Sequence, residues 1–284
     1  MKNLLKSIFI ALFPMLALYT LSNSIIQFFQ NEFSYLLFGN FISAITLVIL
    51  FLGLFTKSQA RTSRNLNSYT FFIALGFLIS VISGFIEIRD LLSFLISFVL
   101  VLSWLAYLKW YSVFEKRETS ILEVGKMLPT FILEDISKNR ISSTSFIGNP
   151  SIYLFYRGNW HPLCMAQIKE IAAQYKELEK RGVPMNFISP QPHKFSSSLA
   201  KKYNLGFNFL TDLNNNVAKQ LRIFSENGIP AGFQAFGYDS DTVLPTVIIT
   251  DAKGKIIFTD LTDNYRVRPE PETFLKVLDE LKNN

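Results

Sequence analysis

The sequence predicts an all-α region of four membrane-length helices, followed by an α/β three-layer sandwich with a mixed sheet. Three observations predict it. Residues 7–31, 33–56 and 65–86 carry no charged side chain, and Leu91 to Leu108 is a fourth such run. From about residue 125 onward, short apolar stretches alternate with amphipathic ones. The last two apolar stretches flank Asp251-Ala252-Lys253-Gly254, which reads as a hairpin turn, and a terminal helical pattern follows. Strands alternating with helices build a sheet covered on both faces, and the closing hairpin makes that sheet mixed.

The apolar runs come first. Each is near or above the ~18–20 residues that a spanning helix needs. One such run alone reads as a buried core helix. Four in succession, separated by short charged loops, read as spans at about 7–31, 33–56, 65–86 and 91–110, within a transmembrane region 1–112. Their polar members, Asn23, Gln27, Asn40 and Ser80, are few. Lys2 and Lys6 resemble the basic start of a signal peptide, but the length of the run and the three that follow favour a retained helix.

An even number of spans puts both termini on one side. That side holds Lys2, Lys6, Lys57, Arg61, Arg64, Lys109, Lys116 and Arg117; the other holds Arg89, beside Glu87 and Asp90, with Glu32 in the first loop. Basic loops stay with the cytoplasm, so the expectation is a multi-pass protein of the inner or plasma membrane with its C-terminal domain in the cytoplasm.

Charge and cysteine content exclude several functions. The net charge is +6, but from Ser112 onward 21 basic side chains face 19 acidic ones, so the excess belongs to the helical region. No basic stripe interleaved with aromatics points to nucleic acid. The spans carry no charge or histidine at mid-membrane, which argues against proton or metal transport. The bilayer is the expected partner there. A single cysteine precludes an intramolecular disulfide and a cysteine-built zinc site. His161 and Cys164 share a helical face, but His193 is the only other histidine, so neither a metal nor another cofactor is expected.

A linker is expected at 113–124 and a domain at 125–284. Phe131 to Leu133 is a short apolar strand, and Ser151 to Tyr156 is a buried strand by its length and its Ile, Tyr and Phe content. An amphipathic helix from Leu163 to Arg181 follows, then a strand at Pro184 to Ser189 and a helix at Phe195 to Tyr203. Strand then helix repeats at Phe207 to Leu210 and Val217 to Leu221. Strands at 246–250 and 255–259 form the hairpin, and Glu272 to Lys282 sets an apolar stripe on a last helix. Cys164, in the first turn of the 163–181 helix, has amide donors and the positive dipole end beside it, which favour thiolate, the nucleophilic form.

The residues around it carry a resemblance. Phe155 through Cys164 stands where the peroxiredoxin-like (AhpC/TSA, redoxin) branch of the thioredoxin superfamily has FYRGxWCPxC. Ile188-Ser189-Pro190-Gln191 resembles its ISPQ strand end, and Arg268-Pro269-Glu270-Pro271 its RPEP run. Leu244-Pro245-Thr246 sits where thioredoxin folds place a cis-proline facing the sulfur. The resemblance implies a thioredoxin-like sandwich with Pro245 cis. It departs at His161, which replaces the first cysteine of the motif, so no dithiol cycle can run within the chain. Cys164 then holds the single peroxidatic position. The family's peroxide-polarising arginine has no counterpart near Leu244, leaving Arg157, or else Arg222, to substitute.

Together with the four apolar spans, the resemblance implies a membrane-anchored single-cysteine redoxin with antioxidant activity, a thiol peroxidase or thiol–disulfide oxidoreductase. Cys164 is its nucleophile, and a small peroxide or disulfide is its substrate. An external thiol of glutathione or thioredoxin type is its reductant, because no resolving cysteine exists. His161 is a candidate imidazolium partner or acid, against a plain helix cap. Arg157 offers positive potential, against a structural pairing. Trp160 and Pro245 are the candidate substrate-binding residues: Trp160 to shield the sulfur from water, against filling core space, and Pro245 to shape the substrate groove, against a structural role alone. Two further readings stand beside this one: a catalytically degenerate redoxin kept as a binding or scaffolding module, and a membrane protein whose main activity lies in its helices.

Overall fold

The computed structural model describes residues 2–30, 33–86, 90–118 and 120–282; Glu32, Glu87 and Arg89, which enter the topology argument, lie outside them. The chain divides into an α/β unit, Met1–Ser7 with Ser58–Arg61 and Phe114–Asn284, and a helical unit, Ile8–Lys57 with Thr62–Val113.

Four helices run through the helical part: α1 (Lys2–Gln30), α2 (Tyr35–Thr56), α3 (Asn67–Ile86) and α4 (Leu91–Ala106), the last continuing as a π turn at Tyr107–Tyr111. All four, counting α4 with its π turn, are long and apolar enough to cross a membrane. Ser34 and Asp90 cap α2 and α4 by accepting the N–H groups of Leu37 and Ser93. Small residues let α2 and α3 touch. A Cβ on Gly39 would lie 2.3 Å from the Gly76 carbonyl, and one on Gly76 2.5 Å from the Gly39 carbonyl. Hydroxyls bridge the same seam, Ser43 donating to the Ile73 carbonyl at 3.2 Å and Ser80 to that of Leu36 at 2.9 Å. The Asn40 amide reaches the Ser93 carbonyl at 2.8 Å. Close backbone approach with interhelical polar bonds is how helices associate where burial of apolar surface supplies no net drive.

The α/β unit contains β1 (Ile132–Glu134), β2 (Arg140–Ser142), β3 (Ser151–Phe155), α5 (Pro162–Ala173), α6 (Tyr175–Lys180), β4 (Met185–Ser189), α7 (His193–Tyr203), β5 (Asn208–Thr211), α8 (Asn216–Gln220), β6 (Phe224–Ser225), β7 (Thr242–Val243), β8 (Thr246–Thr250), β9 (Ile256–Asp260) and α9 (Pro271–Lys282). The main sheet runs β2-β1-β5-β4-β3-β8-β9. Strands β3, β4 and β5 are parallel, while β8 and β9 join antiparallel on one side and β1 and β2 on the other. This is the expected three-layer, thioredoxin-like sandwich with a mixed sheet.

Side-chain alternation splits the core into two layers. Ile152 and Leu154 of β3 face α5, α7 and α9, packing with Ile168, Ile171, Leu199, Phe274 and Leu278. Tyr153 and Phe155 face the opposite layer, with Leu122, Phe131, Val217 and Leu221. Residues ahead of β1 already belong here: Leu122 is fully buried, and the Phe114 N–H donates to the Asp263 carbonyl at 2.6 Å.

Two differences from the expected elements are local. The 163–181 helix is two helices, broken at Gln174, whose ψ of 8° leaves the helical range. Strands β2, β6 and β7, of two or three residues each, are too short for a periodic signal. The Leu244–Pro245 bond departs from what the resemblance implies. No cis peptide occurs among the described residues, so this bond is trans, the default for X–Pro where nothing local demands otherwise.

Candidate active site

Strand β3 is buried at all five positions, and the chain leaves it through Tyr156, Arg157, Gly158, Asn159 and Trp160 into α5. Gly158 takes φ +144°, and a Cβ there would meet the Trp160 ring at 2.7 Å, so only glycine fits this turn. Gln191, at the end of the Ile188–Gln191 run, holds the loop. Its carbonyl oxygen accepts the Asn159 N–H at 2.8 Å, and its amide donates to the Tyr156 hydroxyl at 2.9 Å and to Ser196 at 3.3 Å. Burial pushes the Tyr156 hydroxyl far above its ordinary pKa, so it stays protonated.

His161 is the N-cap of α5, with Pro162 opening the helix. Its Nδ1 accepts the Cys164 N–H at 3.3 Å, and its carbonyl accepts the same N–H at 3.0 Å. Burial, then the charges of Arg268 and Arg157, hold the imidazole well below its ordinary protonation range. A neutral ring accepting at Nδ1 carries its proton on Nε2. The imidazolium that the sequence leaves room for is therefore opposed by the site itself. The ring lies between Trp160 and Tyr265, edge-on at 5.3 and 5.6 Å.

Cys164 is fully buried, one wall of its pocket being the apolar layer that holds Tyr156 and Ile168. The polar group against its sulfur comes from 104 residues away. Arg268 Nη1 and Nη2 both lie 3.5 Å from Sγ, a two-donor fork on one atom. Arg268 is itself buried. Gln167, one turn along α5 from the cysteine, accepts from its Nη1 at 2.8 Å, and the Tyr265 carbonyl accepts from its Nε at 3.1 Å.

The two arginines expected at this position make other contacts. Arg157 is buried, but its guanidinium donates to the Gly228 carbonyl and lies 5.5 Å over the Trp160 ring, while its own carbonyl accepts from Thr242 at 3.0 Å. It braces the loop. Arg222 is largely exposed and lies 3.9 Å from Glu118. Arg268 carried a sequence signal as the first residue of the RPEP run, where the following proline excludes helix and favours extended backbone. Nothing local places that run against α5.

Trp160 is partly exposed and also contacts Phe233 at 5.5 Å. Pro245 lies just outside the Phe155–Thr246 pair, at the start of β8. Arg117 holds it, donating to the Pro245 carbonyl and the Thr246 hydroxyl, each at 3.0 Å. Burial lowers the Arg117 guanidinium to about 10, which leaves it charged at neutral pH. So the structure brings Cys164, His161, Arg157 and Trp160 together at one loop and helix start. Among the described residues no hydrogen bond ties Pro245 to the sulfur. No group of three or more His, Cys, Asp or Glu side chains suited to a metal occurs among them either.

A thiol in the first turn of a helix, covered by a guanidinium fork and walled by apolar side chains, is an arrangement that suits nucleophilic sulfur chemistry. Comparison with known proteins gives the family. Residues 124–259 match the AhpC/TSA family. The chain is 30% identical over 161 residues to the chloroplastic peroxiredoxin Q of Populus jackii, covering 55% of this chain and 68% of that one. It is 28% identical over 145 residues to peroxiredoxin Bcp of Escherichia coli K12, covering 51% of this chain and 90% of the relative. Among solved structures it is similar to a peroxiredoxin-like protein from Aquifex aeolicus, at 12% identity and a TM-score of 0.48, over 60% of this chain and 91% of that one.

Proposed function

The chain belongs to the peroxiredoxin-like AhpC/TSA family, and on that premise we propose that its α/β unit is a single-cysteine thiol peroxidase. The observation that carries the proposal is the Arg268 fork, with both Nη atoms 3.5 Å from Cys164 Sγ. In the proposed reaction the Cys164 thiolate attacks one oxygen of a hydroperoxide. The O–O bond breaks, the sulfur becomes sulfenic acid, and the leaving oxygen departs as an alcohol or water with the proton the thiol gave up. Arg268 stabilises the sulfur anion and the charge that develops on the departing oxygen. An external thiol, of glutathione or thioredoxin type, condenses with the sulfenic acid to a mixed disulfide and water. A second thiol frees Cys164 and leaves as the disulfide. His161 fixes the helix start, and Arg157 and Trp160 shape the entrance. Attack on a small disulfide in place of a peroxide uses the same sulfur and the same arginine.

The four apolar helices would anchor this chemistry at a bilayer. The one-sided distribution of Lys and Arg supports a cytoplasmic position for the α/β unit. A second reading has one observation in its favour: Cys164 has no exposed surface, as expected of a degenerate redoxin kept as a binding module.

Sulfenic acid trapping after hydrogen peroxide, on the full chain in detergent with Cys164→Ser as control, separates the two. The peroxidase gives an adduct that needs Cys164, and Arg268→Gln slows its formation by about 100-fold, the scale of losing one preorganised charge donor. An adduct seen only after unfolding leaves the binding module.

A further inference from the structure

Arg268 is held at its side chain by Gln167 and Tyr265, and at its backbone by a residue that the proposed chemistry does not use. Arg61, from the Ser58–Arg61 segment that belongs to the α/β unit, donates from Nε to the Arg268 carbonyl at 3.2 Å. Its Nη2 reaches the Pro269 carbonyl at 3.4 Å and Glu170 Oε2 at 2.5 Å, and its Nη1 lies 3.7 Å from Glu270. Glu170 stands on α5, the helix that presents Cys164 and Gln167. One guanidinium therefore bridges α5 to the backbone that carries the arginine fork. Arg61 and Glu170 are 27% and 30% exposed, so their attraction is only partly screened. Lys169 adds a neighbouring tie, its Nζ lying 3.1 Å from the Ser58 hydroxyl.

Most surface ion pairs contribute little. This one differs in where its other donors go. A lysine could meet Glu170, but it lacks the planar fork that also satisfies two successive carbonyls. The Arg268 carbonyl belongs to a peptide unit with no donor to offer a helix or strand ladder, because Pro269 has no N–H. Arg61 gives this segment a set of bonds from outside it.

We propose that Arg61 is a positioning residue for Arg268, setting the distance from the guanidinium fork to Cys164 Sγ. The proposal rests on the peroxidase reading for its kinetic consequence but not for its structural one. In sequence Arg61 reads only as one basic residue of a short loop; the contacts assign it to the thiol site.

The test uses the full chain in detergent with Arg61→Gln, Arg61→Lys, Arg268→Gln and the Arg61→Gln/Arg268→Gln double variant. Hydrogen exchange is measured over residues 264–270, with sulfenic acid formation by hydrogen peroxide measured in parallel. Arg61→Gln is expected to speed exchange in that segment while β3 and β4 keep their protection. It should also slow oxidation about fivefold, the scale of one ordinary hydrogen bond. Arg61→Lys should recover part of the rate. In the Arg268→Gln background, removing Arg61 should change the rate no further, because its effect passes through Arg268. Unchanged exchange over 264–270 overturns the proposal, as does an equal slowing by Arg61→Gln with and without Arg268. If the native chain forms no sulfenic acid, the peroxidase reading falls, and the exchange result alone decides the role of Arg61.

Discussion

The two units are both rich in apolar residues, yet they use them in opposite ways. In the helical unit many large side chains point outward: Phe29, Phe55 and Ile86 are 88%, 70% and 80% exposed, while Gly39, Ser43, Gly76 and Ser80 form the α2–α3 seam and a cluster around Phe13, Ile73, Trp104 and Tyr107 is buried. In the α/β unit the large side chains point inward, with Phe155, Phe187 and Phe274 all buried. Water drives the second arrangement by expelling apolar surface. The first suits a solvent as apolar as the side chains themselves, where contact between helices depends on fit and on polar bonds. The lesson is that hydrophobicity alone does not locate a core; the size of the residues at each seam does.

The largest effect expected from this contrast is in the α/β core. Phe187 is fully buried, stacks on Phe209 at 5.1 Å and meets Phe207 edge-on at the same distance. Phe187→Ala should cost about 3–5 kcal/mol by lost transfer and an unfilled cavity, read as a lower midpoint in denaturant titration. In the helical unit the sign of the volume change reverses. Gly76→Val adds bulk against the Gly39 carbonyl and the Ser43 hydroxyl, and should cost about 1–3 kcal/mol, measured as thermal unfolding in detergent. Leu78→Ala, at a half-exposed position on the same helix, should leave that midpoint nearly unchanged. Equal losses from Gly76→Val and Leu78→Ala would erase the contrast between seam and surface.

The smallest effect concerns pH. The folded state holds His161 below its ordinary range, whereas the unfolded chain returns it to about 6.5. Between those points only the unfolded chain binds the proton, so stability rises with pH there. The contribution is complete above about 6.5 and is lost as the pH falls below it. His161→Asn keeps an N-cap acceptor without the titration. Its unfolding midpoint should fall less than that of the native chain between about pH 7 and pH 5, and parallel curves would remove His161 from the acid response.

Most of the α/β elements were legible because buried strands and amphipathic helices leave periodic traces. Strand 246–250 falls on the expected residues, and the last helix begins at Pro271, one residue early. Strands β2, β6 and β7 were not legible, since two or three residues cannot show a period. Cys164 and its loop were visible as a motif, and Gln191 as part of one. Arg268 was visible only as a member of the RPEP run. Its position on the sulfur depends on how the segment after β9 returns across α5, a long-range outcome that no local pattern encodes. His161 shows the reverse: its place was plain, but its protonation depends on burial and on two arginines that folding gathers around it.

The enclosure of Cys164 has a consequence for turnover. A sulfur with no exposed surface admits reactants by size before it can discriminate by recognition. In the proposed cycle both hydrogen peroxide and a thiol need an opening to reach the sulfur, and the bulkier thiol needs the wider one. The two half-reactions then place different demands on the molecule: oxidation needs a small, brief opening, and reduction needs the first turn of α5 to part from the Trp160 loop. Local breathing of that turn, rather than bond-making at sulfur, would set the pace of the reductive half.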